Sequence, residues 1–146
     1  MVNGQDTQWE FFLVTLPGLE DLADSEVRRW FPDLTTTVET GGVTVLISLA
    51  QGLSMNLILK IPTRILLRVT RLNCRDFPKL FKTVKEYSWQ NLLDPGCVMQ
   101  VHASTHRSRL KIKKRIEKTC AEAWQAYQKT RSFRATTPAP QANLYV

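Results

Sequence analysis

From about Ser108 to Gln128 one pattern repeats: Ile112, Ile116, Cys120, Ala123 and Tyr127 recur at steps of 4, 4, 3 and 4 residues. At ~100° per residue these side chains share one arc, so the stretch predicts a long helix that lays that arc on a sheet. Arg107, Lys111, Lys114, Arg115 and Lys118 cluster on the opposite arc, while Arg109 and Lys113 fall near the apolar arc in the first turns. Glu117 and Glu122 are too few to neutralise them through i,i+4 pairs. Solvated charge on a helix back would carry more acids than this, which favours a polyanion site.

The net charge of +7 is unevenly spread. Residues 1–50 hold two Arg against eight acids, and residues 51–146 hold eighteen Lys and Arg against five. Clustered cations gain affinity by releasing counterions from phosphates, so the C-terminal part is expected to meet an anionic partner. With 43% hydrophobic residues in 146 positions, the chain can bury one medium core or two small ones. No apolar run nears the ~20 residues of a membrane span. Asp6, Glu10, Glu20 and Asp21 stand where a signal peptide would need basic and then apolar residues. A cytoplasmic protein with no membrane partner is expected. Cys74, Cys97 and Cys120 are odd in number and lack ligand spacing, which predicts reduced thiols and no metal site.

Glu10 to Thr15 is a β-branched and aromatic run broken by Pro17-Gly18, which predicts a strand and a turn. Leu19, Leu22, Ala23, Val27 and Trp30 then recur at helical spacing until Pro32. Gly41-Gly42 introduces Val43, Val45, Ile47 and Leu49 in period two, a strand with one apolar face. A short helix from Leu53 to Lys60 and a strand through Ile65, Leu67 and Val69 complete a β-α-β-α-β order up to about residue 72. A second unit begins with a helix striped by Phe77, Leu80, Phe81 and Val84. It continues through the Asp94-Pro95-Gly96 turn into a short strand around Val98, Gln100, Val101 and His102, whose inward face the pattern leaves open. After the long helix, residues 131–142 read as a loop. Asn143 to Val146 begin an apparent strand, which points to a portion of a longer chain.

Several segments in order, FFLVTLPGLEDLADSEV, GGVTVLISL, PTRILLRVTRL, VKEYSWQNLLDPGCVMQVHAS and LKIKKRI, resemble the N-terminal region of the bacterial-type 23S rRNA guanine-N2 methyltransferases. The matching positions are Gly18-Leu19-Glu20, Gly41-Gly42-Val43, Thr63-Arg64-Ile65, Trp89 and Lys111-Ile112-Lys113, and the resemblance spans about residues 9–146. It implies an α+β chain, with a ferredoxin-like domain over residues 8–72 and a THUMP α/β domain over 73–146, or from near 50 on a wider THUMP definition. THUMP is an RNA-binding module shared by thiouridine synthases, methyltransferases and pseudouridine synthases. Where the family usually has Asn or Gln before the basic helix, this chain has the more basic His106-Arg107-Ser108-Arg109.

The expected RNA contacts are Arg107, Arg109, Lys111, Lys113 and Lys114, with His106 and Arg64 at the edge. No Gly-rich loop follows a strand to approach S-adenosylmethionine, and no Asn/Asp-Pro-Pro-aromatic motif is present to hold a flipped guanine. The sequence therefore predicts no catalytic residue, and the S-adenosylmethionine-dependent chemistry is expected in a downstream domain in cis. A stand-alone adaptor presenting tRNA or rRNA to a separate enzyme is the alternative. An acid–base role for His102 or His106 has little behind it, since neither has a Ser, Cys or carboxylate at a recognisable spacing.

Overall fold

The computed structural model describes residues 7–94, 96–104, 110, 112–131 and 141–146. It is an α+β protein whose chain divides into two compact units, Met1–Arg71 and Leu72–Val146. No helix among the described residues is long and apolar enough to cross a membrane.

The first unit runs β1 (Trp9–Val14), α1 (Glu20–Trp30), β2 (Thr36–Glu39), β3 (Gly42–Ile47), α2 (Leu49–Ile58) and β4 (Arg64–Leu67). Its sheet has the order β2-β3-β1-β4, with every neighbouring pair antiparallel. Strand alternation puts Phe11 and Leu13 of β1 and Val43, Val45 and Ile47 of β3 on one face, where they pack with Ala23 and Val27 of α1 and Met55 of α2. Burying each larger aliphatic side chain contributes about 1.5–3 kcal/mol, and that layer is the unit's core.

Three expectations about this unit need correction. The order is β-α-β-β-α-β, because β2 escaped notice. It is an edge strand whose residues are all partly or fully exposed, so it carries no alternating apolar face. Leu49 belongs to α2 and not to the strand. Ser48 caps that helix, accepting from the Gln51 N–H at 3.3 Å while the Gln51 side chain accepts from the Ser48 N–H at 3.4 Å, so the helix starts before Leu53 and ends at Ile58. Trp30, expected in the core, is 56% exposed, and Leu22 is also on the surface. The face of α1 that meets the sheet is narrow, and Ala23 and Val27 fill it.

Carboxylates tie the loops of this unit. Glu20 accepts hydrogen bonds from the N–H of Gly18 at 2.8 Å and of Gly41 at 3.1 Å, joining the start of α1 to the β2–β3 turn. Both glycines have positive φ, +88° and +85°, which a side chain would strain. Glu26 accepts from the N–H groups of Lys60 and Ile61, each at 3.0 Å. On the sheet's other face Glu10 accepts from Arg71 at 2.7 Å and from Arg68, whose guanidinium lies 4.9 Å over the Phe12 ring.

These contacts set a pH response. The Arg71 hydrogen bond, followed by that of Arg68, holds the Glu10 carboxyl below its ordinary 4.5, and backbone N–H groups of Glu20 itself, Gly41 and Gly18 do the same for Glu20. Carboxyls lowered on folding contribute stability that is complete above about 4.5 and is lost as pH falls through their folded values. Between about pH 6 and about pH 3 the melting temperature of the native chain should therefore fall more steeply than that of a Glu10→Gln, Glu20→Gln variant. Parallel melting curves for the two proteins would show that neither carboxylate is linked to folding.

The second unit runs α3 (Phe77–Glu86), a 3-10 turn (Trp89–Asn91), β5 (Val98–His102), α4 (Lys113–Lys129) and β6 (Gln141–Tyr145). Asp76 caps α3 by accepting from the Lys79 N–H at 2.8 Å, and Pro78 fits its first turn. Leu80 and Val84 of α3 are buried, as are Ile116, Cys120, Ala123, Trp124 and Tyr127 of α4, and the two helices pack together. Trp124 donates its indole N–H to the Cys97 carbonyl at 3.1 Å, meets Trp89 edge-on at 5.7 Å and stacks on Tyr127 at 5.4 Å. β5 and β6 pair in parallel, with α4 as the crossover that lies on β5. The cysteines are free thiols, and burial pushes the Cys120 thiol up to about 11.

The long helix starts later than its sequence pattern suggests. Leu110 and Ile112 precede it in non-helical conformation, Ile112 occupies the N-cap position with ψ 93°, and its side chain is 58% exposed instead of joining the apolar arc. An aliphatic residue with helical spacing extended the pattern by a turn that the backbone does not take.

Candidate nucleic-acid interface

Because α4 follows β5 and leads back to a parallel β6, its N-terminus and the C-terminal ends of both strands lie at the same end of the second unit. A hydrogen bond fixes that proximity: the Ala103 N–H, just past β5, donates to Glu117 Oε1 in the second turn of α4 at 3.1 Å. Ligands of parallel α/β units gather at such ends, where strand termini and helix N–H groups converge.

At this end Lys113 and Lys114 are the first two residues of α4, both exposed, and neither forms an ion pair among the described residues. The first turn holds no acid, and Ile112 offers its backbone N–H groups no side-chain cap. Positive side chains against the positive end of a helix dipole cost stability, so the arrangement suits an anion that offsets both. Arg115 is drawn aside, its guanidinium 4.2 Å over the Phe77 ring, and Lys118 stands 3.8 Å from Glu122 in an i,i+4 pair. The second unit as a whole carries fourteen Lys and Arg against five acids.

Of the residues expected to contact RNA, the structure brings Lys113 and Lys114 together at this helix start. Lys113 is exposed in the first turn of α4. Arg64 opens β4 in the other unit, where it is exposed at the sheet edge. His106, Arg107, Arg109 and Lys111 lie outside the described residues.

Sequence reasoning passed over the outward face of the β5–β6 pair. Val98, Gln100 and His102 stand there, directly opposite Gln141, Asn143 and Tyr145, and all six are exposed. The His102 ring stacks on Tyr145 at 5.1 Å and 23°, with its Nε2 3.1 Å from Asn143 Oδ1. Only the alternation of residues 98–102 and 141–145 hinted at this face, and the parallel register that aligns the two strands has no local signal. No group of three or more His, Cys, Asp and Glu among the described residues is placed to hold a metal ion.

No protein-family model matches this chain, and no curated protein does. Solved structures do match. A protein described as a predicted N6-adenine-specific DNA methylase from Listeria monocytogenes str. 4b F2365 superposes with a TM-score of 0.82 at 21% identity, covering 94% of this chain and 37% of that one. A protein classed as a methyltransferase and determined in complex with SAH gives 0.80 at 23% identity, covering 95% and 38%. TrmN from Thermus thermophilus gives 0.63 at 20% identity, covering 93% and 42%. At these identities the likeness is one of fold, and the chain spans well under half the length of each of these proteins.

Proposed function

We propose that this chain is an RNA-binding module, a ferredoxin-like domain followed by a THUMP domain with the boundary near residue 72, that positions structured RNA for an S-adenosylmethionine-dependent methyltransferase domain outside it. The acid-free, uncapped start of α4 bearing Lys113 and Lys114 carries this reading. The β-α-β-β-α-β order with its β2-β3-β1-β4 sheet supports the ferredoxin-like assignment. Fold likeness to a third or more of proteins described as a methylase and a methyltransferase supports a role as one part of a methylating enzyme. Ribosomal RNA with guanine N2 as the target follows from the sequence resemblance alone.

The test is binding of the purified chain to a structured rRNA fragment across a salt series, beside a DNA duplex because one similar protein is described as a DNA methylase. With about four to six phosphates neutralised, log affinity should fall against log salt with a slope of roughly −3 to −5. Lys113→Gln with Lys114→Gln should make that slope shallower by about 1.4–1.8, whereas Arg28→Gln with Arg29→Gln on α1 should change affinity by less than about twofold. No methyl group should pass from S-adenosylmethionine to the RNA. Equal binding by the two double variants, or stronger binding to the DNA duplex, would overturn the reading.

A further inference from the structure

Among the described residues the β5–β6 pair is a parallel sheet with one exposed face, whereas parallel sheets are normally buried on both sides. What stands on that face decides what could cover it. A helix would need an aliphatic surface, but Val98 is the one aliphatic residue among two glutamines, an asparagine, a histidine and a tyrosine. Rings and amides in that arrangement match the chemistry of a nucleobase, with a π-face to stack and an edge of donors and acceptors to pair.

We propose that this face binds an unpaired nucleobase, which extends the His102–Tyr145 stack as a third ring layer while Gln100 and Asn143 meet its edge. The site rests on the RNA-binding reading above and adds a place where single-stranded RNA is gripped. The platform is built before the ligand arrives. Asn143 holds the imidazole through His102 Nε2 at 3.1 Å, and the two rings already lie within 23° of coplanar at 5.1 Å. Tyr145 is 41% exposed. His102 and Tyr145 are also the last paired positions of their strands, at the end of the unit where Lys113 and Lys114 open α4. A nucleotide whose base stacks on the rings can therefore direct its phosphates toward those cations. Because every base has a π-face, the platform favours unpaired over paired nucleotides with little base preference.

The experiment uses the full chain and a short single-stranded oligoribonucleotide with one 2-aminopurine, beside a blunt RNA duplex. Binding should quench the 2-aminopurine emission, and Tyr145→Phe should preserve both quench and affinity. Tyr145→Leu and His102→Leu should each weaken single-strand binding about tenfold and abolish the quench, while duplex binding stays within about twofold. Gln100→Glu, an isosteric change at an exposed position, sets a carboxylate on the platform and should also weaken the single strand about tenfold, whether or not the leucine variants fold. Unquenched emission in the native complex, or a single-strand affinity unmoved by Gln100→Glu, would overturn the platform and leave the RNA-binding reading intact. Failure of the native chain to bind either RNA would overturn both.

Discussion

Trp124→Ala should destabilise the second unit by about 3–5 kcal/mol, the range for removing a large buried aromatic side chain. Trp124 is the hinge of that unit's aromatic cluster. It touches Trp89 edge-on, lies flat on Tyr127, and through its indole N–H anchors the Cys97 carbonyl at the entry to β5. Gln128 Nε2 also donates to that carbonyl at 3.1 Å, so the acceptor stays satisfied and the loss comes from the cavity and the forfeited ring contacts. Set against the 5–15 kcal/mol that roughly bounds a domain's stability, a small unit should melt far below the native protein or fail to fold. Amide NMR spectra offer the sharpest measurement: resonances of residues 72–146 should collapse while those of the β1–β4 sheet persist. A variant whose resonances and melting temperature match the native protein would refute the packing described for Trp124.

Gly52→Ala should destabilise the first unit by about 1–3 kcal/mol, the reverse of what helix propensity predicts. In an exposed helix interior the change would gain about 1 kcal/mol, because alanine restricts the unfolded chain and glycine does not. Gly52 is instead buried on the inner face of α2, where an added methyl would fall 2.1 Å from Phe11 Cζ and 2.2 and 2.6 Å from its neighbouring ring carbons. Phe11 is itself held in the core beside Val45, its partner on β3, so the ring can yield only by moving the helix away from the sheet. Urea unfolding should give a lower midpoint with an unchanged slope. A midpoint at or above the native value would mean that α2 does not approach β1 as closely as described.

The same glycine shows where a sequence can and cannot be read. Strand alternation at Val43, Val45 and Ile47 named its buried face directly, since period two leaves two faces to choose between and the apolar one wins. The stripe of Ile116, Cys120, Ala123 and Tyr127 did the same for α4. On α2, however, the buried residues are Gly52 and Met55, while Leu53 and Leu57 point to solvent. Close approach of a backbone to an aromatic ring selects a small residue, and hydrophobicity gives no sign of it. β2 was invisible for a related reason, as edge strands answer to pairing with a neighbour and not to burial. At the candidate site the lysines were legible from charge alone. Their companions His102, Asn143 and Tyr145 were not, because some forty residues separate the two strands that align them.

β1 is the first strand of its unit and an interior one, flanked by β3 and by β4. During synthesis the chain emerges in order, so Phe11 and Leu13 leave the ribosome well before β4 does. The Leu13↔Ile65 pairing closes only after more than fifty further residues have appeared. Such long-range pairing folds slowly, and the nascent segment stays open to chaperones or to aggregation until β4 is out. Vectorial synthesis thus makes Leu67 the release point of the first unit, and a ribosome pausing just upstream of it would hold an apolar strand exposed.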